Sequence, residues 1–541
     1  MTGPTDAVDV AGHCASSVSD ADELVADVAV VGAGHNALVA ACYLARAGLQ
    51  VAVFERDAVP GGAVSTIERF PGHRVDRGSS LHVMVRHTDL IEDLELGECG
   101  LRYLDADPWG YAPAQSPDEP GIVFATDLDR TTDSIAAACG ATDAAAYRTL
   151  VERLTPLTRR LLATFTDSPT MSRIARNAGN LTIDQNRPET ARWFLQPADH
   201  LLDATFRSER LKAALAWLVS QSGPPAHEPG TAGHLMWLGL LHTRAPGRPI
   251  GGSGELSVAL AERLRRSGGS LHLADPVSEV LVRGGRAVGV RTSTGRAVRA
   301  RVVLSGTHVL TTLDLLGTPA ADPTRLRIRV GDGIGVAVRI VTVRLPIYPD
   351  APSDALRGMQ LLVEDRRTLR AAYGAYLVGA APREPAVLAM TPTALDPSLA
   401  PAGEHNLTLW AQWHRRHLAA GIDWDDLREQ TAESVIAQVE RRAPGFAGSV
   451  RATHVQTPKD LERELDLRGG NVMHVEMALD AMFRLRPVPE FAHYRGPVPG
   501  LYLTGASTHP GGGVFGASGR NAARTILRDL ARVRRRGSRR Q

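Results

Sequence analysis

At 541 residues the chain exceeds one typical hydrophobic core, and its 43% apolar content is ample for a large one. A formal charge of +2 gives no general reason to expect a nucleic-acid partner. The four cysteines, Cys14, Cys42, Cys99 and Cys139, form no CxxC, which argues against a redox-active disulfide and a cysteine zinc site. No metal is expected, and the pattern fits a reducing cytoplasm. The abundance of alanine and of arginine over lysine suggests a GC-rich bacterial genome, so arginine content alone carries no functional reading.

Residues 1–23 are rich in Ala, Ser, Asp and Gly without periodicity and read as a flexible leader, with no signal-peptide pattern. No run approaches about 18 consecutive apolar residues, so no membrane span is expected. Residues 28–31, VAVV, have the small apolar character of a buried parallel strand. A turn of GxGxxG/A form follows: Gly32, Ala33, Gly34, His35, Asn36, Ala37. Gly32 permits the tight turn, and Gly34 removes a side chain that would hold a pyrophosphate off the backbone. Ala37 lets the next helix, expected over 38–47, pack close to the strand with its unpaired amides toward the phosphates. A second strand over 50–54 ends in Glu55, placed to accept both ribose hydroxyls of a dinucleotide. The acid disfavours a 2'-phosphate, which leaves FAD or NAD rather than NADP.

Arg56 follows directly, and then VPGGAVST, where Gly61 and Gly62 again permit close backbone approach and Thr66 offers a hydroxyl. Residues 70–84 read as a turn and an extended piece, 89–107 as a helix and a short strand, and 132–165 as helix. More helix is expected to 220, then a break at SGPPAHEPG and an apolar helix over 231–241. PIGGSG introduces an amphipathic helix over 255–267. Strands over 270–273, 277–282, 287–292 and 298–303 then return the chain to the dinucleotide sheet. Residues 324–460 hold β-branched runs at 336–343 and 407–413 and a helix at 424–442, which predicts an antiparallel sheet with helices as a substrate-binding layer. Thr457, Pro458 and Asp460 have the spacing of an N-cap, a proline at N1 and an acid at N3, with Lys459 exposed in the first turn.

A second glycine-rich strand-to-helix turn closes the pattern: a strand over 501–504, a loop over 505–516 and a helix over 517–530. Another helix N-terminus facing a ligand is the physical reading. The end of the chain contains RVRRRGSRR, read as a solvated tail over 531–541 or as a basic surface for peripheral contact with an anionic membrane.

The segments VVGAGHNALVAACYLARAGLQVAVFERDAVPGGAVST, PIGGSGELSVAL, MALDAMFRLRPVP and GLYLTGASTHPGGGVFGASGRNAA resemble the phytoene desaturase-like flavoproteins. GHN in the first turn and HPGGGVFGASGRNAA at the end are closer to the non-carotenoid branch, the pyridine nucleotide-disulphide oxidoreductase domain-containing proteins. The resemblance implies an α/β fold: a discontinuous, Rossmann-type (glutathione-reductase-like) FAD-binding domain at 24–95, 245–310 and 465–530, with an α+β substrate-binding domain at 96–244 and 311–464. It implies FAD, held at the pyrophosphate by Gly32, Gly34 and Ala37, with Asn36 also a cofactor contact, at the ribose by Glu55 with Arg56 beside it, and along the cleft by Gly61 and Gly62. Val277 would pair its backbone with the adenine, and Gly505 and the segment from His509 through Gly513 to Val514 would run under the isoalloxazine. Ala63 departs from the arginine of the family's GGR pattern.

The chemistry implied is removal of hydride from a small or lipophilic substrate in secondary metabolism, by desaturation or oxidation. His509 is the candidate base, since a neutral imidazole takes a proton near pH 7; a histidine that only shapes the loop is the alternative. His474 and, less strongly, Glu476 are candidate substrate-side polar groups. The only lysines are Lys212 and Lys459, which argues against the amine oxidases that use a lysine beside the flavin. A second nicotinamide turn is absent, so oxygen, a quinone or another external acceptor is expected. A flavin-dependent double-bond isomerase and a non-catalytic flavin-stabilised binding protein remain alternatives.

Overall fold

A computed structural model describes residues 24–116, 118–173, 176, 193, 195–349, 351–419 and 421–538. The leader at 1–23 and the last residues of the tail, 539–541, lie outside the described residues.

Alternation along two short strands builds the first layer. The strand Leu24–Val31 lies between parallel neighbours Val51–Phe54 and Ala297–Ser305 in a seven-stranded sheet. Val28, Val30, Val51 and Val53 point to a core shared with the helices His35–Arg46, Glu255–Arg266 and Ala517–Ser538. Ala29, Val31, Ala52 and Phe54 point the other way, against Val280, Val290 and Val298. Both faces are therefore covered, as a parallel sheet requires. Ser270–His272 extends one edge, and Val277–Arg283 and Arg286–Thr292 form the antiparallel hairpin at the other. Leu501–Leu503 joins in parallel beside Ala297–Ser305, so strands distant in sequence end together over one cavity.

The second sheet runs in the order Val450–Gln456, Gly335–Thr342, His405–Gln412, Val387–Met390, Met359–Leu362, Gly110–Ala112, Ile122–Phe124. Side chains alternate across it. Val336, Val338, Ile340, Leu407, Leu409, Val387 and Ala389 pack against Trp424, Val435 and Val439 of the helix Trp424–Glu440. Their neighbours Ala337, Arg339, Thr408, Trp410, Leu388 and Met390 face the cavity.

Several expectations shift. Gly140 divides the long helix into Leu128–Cys139 and Ala141–Phe165. Residues 231–241 form a 3-10 turn, Thr231–Met236, before the short helix Trp237–Leu241. The stretch after residue 65 is a hairpin, Thr66–Phe70 with His73–Asp76. The last helix continues to Ser538, through most of the stretch read as tail, because its arginines are good helix formers. The cap at 457–460 forms as its spacing predicts: Thr457 and Asp460 make a capping box with Pro458 in the first turn.

Candidate active site

The glycine turn and the second sheet bound one cavity of about 610 Å³. Gly32 adopts φ +85°, and a Cβ there would lie 3.3 Å from Thr307 Cγ2. Gly34 differs: a Cβ would meet nothing of the protein nearer than Gly306 O at 4.0 Å. Internal packing does not demand glycine at 34, so the bare backbone serves the cavity. Gly34 N-caps the helix His35–Arg46 without any side-chain cap, which leaves the helix N-terminus open on the same wall. The buried Asn36 Oδ1 also lacks a partner.

The acid closes the turn from the other side. Glu55 is 7% exposed; its Oε2 accepts from the Ala33 amide at 2.6 Å and its Oε1 from the Asp57 amide at 3.0 Å. Gly61 and Gly62 lie against the first turn: the Gly61 amide donates to Ala33 O at 2.9 Å, and a Cβ on Gly62 would sit 3.9 Å from Gly34 Cα. Gly61 has φ +114°, and a Cβ there would collide with Val64 O at 2.1 Å. Arg56 Nη2 donates to Glu464 O at 2.8 Å, tying the end of the second strand to the last turn of the helix Pro458–Leu465. Val277 begins its strand at the cavity, and Gly505, Gly513 and Val514 line the wall beyond Gly306. Gly32, Gly34, Asn36, Ala37, Glu55, Arg56, Gly61, Gly62, Val277, Gly505, Gly513 and Val514 thus line the same cavity, whereas residues 509–511 of the loop do not. A bare turn and an open helix end fit the pyrophosphate of a dinucleotide, and the acid fits its ribose.

Other candidates are placed differently. His509 is fully buried and is not on the cavity wall. Its ring lies between Phe165 and Phe483, Nε2 faces Thr164 O at 3.2 Å, and burial lowers its pKa to about 4. This corrects the expectation of a base at 509: the imidazole shapes the loop and has no access to a cavity ligand. Thr66 is also off the wall, its hydroxyl bound to Asp76 Oδ1 at 2.7 Å. Glu476 pairs with Arg329 and does not line the cavity, whereas His474 does. Lys212 pairs with Asp203 at 2.9 Å and Lys459 with Asp423 at 2.8 Å, and neither lines the cavity. Cys42, Cys99 and Cys139 are free thiols, and no metal-binding cluster occurs among the described residues.

The structure adds residues that motif reading passed over. Gly306 packs directly on the glycine turn, where a Cβ would lie 2.5 Å from Ala37 Cβ. Arg339, 5% exposed, lines the cavity and donates to Thr408 Oγ1 at 2.9 Å, Arg77 O at 3.1 Å and Gln456 Oε1 at 3.2 Å. Burial lowers its pKa to about 10, so it remains a cation at neutral pH. A lone arginine in the apolar run VAVRIVTV was the available signal. Leu218, Leu241, Trp237, Met359, Leu388, Met390 and Trp410 make the remaining wall largely apolar, with Gln221 and Ser222 beside them.

Known proteins agree with this arrangement. Residues 30–94 match the model of an NAD(P)-binding Rossmann-like domain. The chain is 35% identical to pyridine nucleotide-disulfide oxidoreductase domain-containing protein 2 of Mus musculus, over 93% of this chain and 94% of that one. It is 26% identical to the phytoene desaturase (neurosporene-forming) of Cereibacter sphaeroides, over 93% and 94% of the two chains. In fold it resembles a solved structure of putrescine oxidase, with a TM-score of 0.61, 17% identity, and coverage of 94% and 99%. The chain is therefore an oxidoreductase, related to the phytoene desaturases, and it belongs to the family of pyridine nucleotide-disulfide oxidoreductase domain-containing protein 2.

Proposed function

We propose that the cavity holds FAD along the glycine turn and an apolar substrate against the second sheet, and that the protein removes hydride from that substrate. The carrying observation is the continuity of the site: residues suited to a dinucleotide and an apolar wall of Met359, Leu388, Met390 and Trp410 line one space. Bound flavin would supply the hydride acceptor. Gly34 and the open helix N-terminus would bind the pyrophosphate, and Glu55 the ribose. The apolar wall would exclude water and orient the substrate C–H. Arg339 and Gln456 are the polar groups on the sheet side of the same space.

Neither lysine is on the wall, which favours carbon–carbon desaturation over amine oxidation. Oxygen or a quinone would take up the electrons. Peripheral membrane contact through the arginines of the last helix would suit a lipophilic substrate. No described helix is long and apolar enough to cross a membrane.

Product mass tests the reading. Protein loaded with FAD is mixed with a panel of apolar alkenes, and products lighter by two hydrogens are expected. Products of unchanged mass would instead establish an isomerase.

A further inference from the structure

His308, Arg486 and Ser507, from separate parts of the chain, converge on one residue of the cavity wall. His474 has φ +63°, a conformation that a residue with a side chain keeps only where its surroundings hold it. The Val475 amide donates to Met473 O at 2.8 Å and closes a γ-turn centred on His474. Every carbonyl from Met473 to Glu476 is held by a side chain. Arg486 donates to those of Met473 at 2.7 Å, Val475 at 3.1 Å and Glu476 at 2.9 Å. His308 Nε2 donates to that of His474 at 2.9 Å. Arg486 is fully buried and also donates to Ala506 O at 2.6 and 3.0 Å, which ties the turn to the loop after the strand Leu501–Leu503.

One tautomer of the imidazole suits its surroundings best. Ser507 is buried, and its Oγ accepts from the Val309 amide at 3.0 Å. His474 Nδ1 lies 3.0 Å from the same Oγ, within hydrogen-bond reach. With Ser507 Oγ already accepting from Val309, the pairing that uses its hydroxyl hydrogen has it donate to Nδ1, and the ring proton then sits on Nε2. The ring stacks on His308 with centroids 5.0 Å apart. His474 lines the cavity with its Nδ1 edge on Ser507, which leaves the Nε2–H edge for the cavity.

We propose that His474 is a preorganised neutral hydrogen-bond donor to an acceptor atom of the bound flavin, with Ser507 fixing its tautomer and Arg486 and His308 as positioning residues. This rests on the FAD reading above. The cofactor is the partner, rather than the substrate, because His474 is hydrogen-bonded to Ser507, beside Gly505 and Ala506 on the cavity wall. The apolar wall belongs to the other sheet. Burial holds His474 well below the usual histidine range, so it donates without a charge through neutral pH.

The test is FAD affinity and the visible spectrum of the bound flavin in wild type, His474→Leu, His474→Gln and Ser507→Ala. Loss of one buried hydrogen bond should weaken FAD binding by about tenfold in His474→Leu and shift its absorption bands. His474→Gln, which places an amide N–H near Nε2, should stay within about twofold of wild type, and Ser507→Ala should weaken binding by about threefold. Thermal unfolding without FAD shows that each variant is folded. Wild-type affinity and spectrum in His474→Leu would overturn the proposal, even with a raised KM for substrate. Equal loss in His474→Leu and His474→Gln would overturn it too, because the donor would then be irrelevant. A wild-type chain that takes up no FAD would instead sink the cofactor reading on which it stands.

Discussion

Glu55 Oε2 accepts the amide hydrogen of Ala33 at 2.6 Å, so the acid at the end of the second strand is bonded to the middle of the glycine turn before any ligand arrives. One carboxylate thus organises the turn and waits on the cavity wall for a ribose. Hydrogen bonds to a charged acceptor contribute about 1.5–3 kcal/mol each. Glu55→Ala should raise the FAD dissociation constant at least about tenfold, with Glu55→Gln between it and wild type. Calorimetric titration decides, and an unchanged constant would confine Glu55 to a structural role.

The closest backbone approaches predict where stability is sensitive. A Cβ on Gly306 would lie 2.5 Å from Ala37 Cβ, and one on Gly61 would lie 2.1 Å from Val64 O at φ +114°. Overpacking of this kind costs about 1–3 kcal/mol. Gly306→Ala and Gly61→Ala should each lower the denaturation midpoint, whereas Gly34→Ala, which meets no protein atom closer than 4.0 Å, should leave it nearly unchanged and weaken FAD binding. Urea unfolding beside FAD titration separates the two effects.

The lysines give a prediction of no effect. Lys212 and Lys459 are tied to Asp203 and to Asp423 away from the cavity. Lys212→Met and Lys459→Met should retain the rate of flavin reduction within about twofold, since surface pairs contribute only about 0–1 kcal/mol. A collapse of that rate in either variant would restore a lysine-assisted mechanism.

The turn, the acid and the capping box at Thr457 were legible because each is a local pattern with a local cause. Gly32, Gly34, Glu55, Gly61 and Gly62 line the cavity for the same reason. His509 was misread because its position in a glycine-rich loop says nothing about which way its ring faces; Phe165, from a distant helix, decides that. The strands Gly110–Ala112 and Ile122–Phe124 are too short to show alternation and form only by joining a sheet built mainly from residues beyond 335. His474 was visible only as a polar residue before MALDAM. Its tautomer and backbone depend on Ser507, His308 and Arg486, whose contacts no spacing rule encodes.

Buried histidines predict the direction of the pH dependence. Burial lowers His82 to about 3 and His509 to about 4, both below the unfolded value of 6.5. Between 6.5 and those values the unfolded chain binds protons that the native chain does not, so stability is lost as pH falls through that window. Each group contributes up to about 1.4 kcal/mol per pH unit there. Unfolding midpoints should be flat above neutrality and fall toward pH 5, with a shallower slope in His509→Gln. An equal slope in that variant would mean that His509 is protonated in the native state.

The most direct test of the central claim is the absorbance spectrum of the protein reconstituted with FAD, recorded before and after anaerobic addition of apolar alkenes. A stoichiometric flavin spectrum is expected, one that bleaches with an apolar compound and stays unbleached with primary amines. Failure to take up FAD, or bleaching by amines alone, would contradict it.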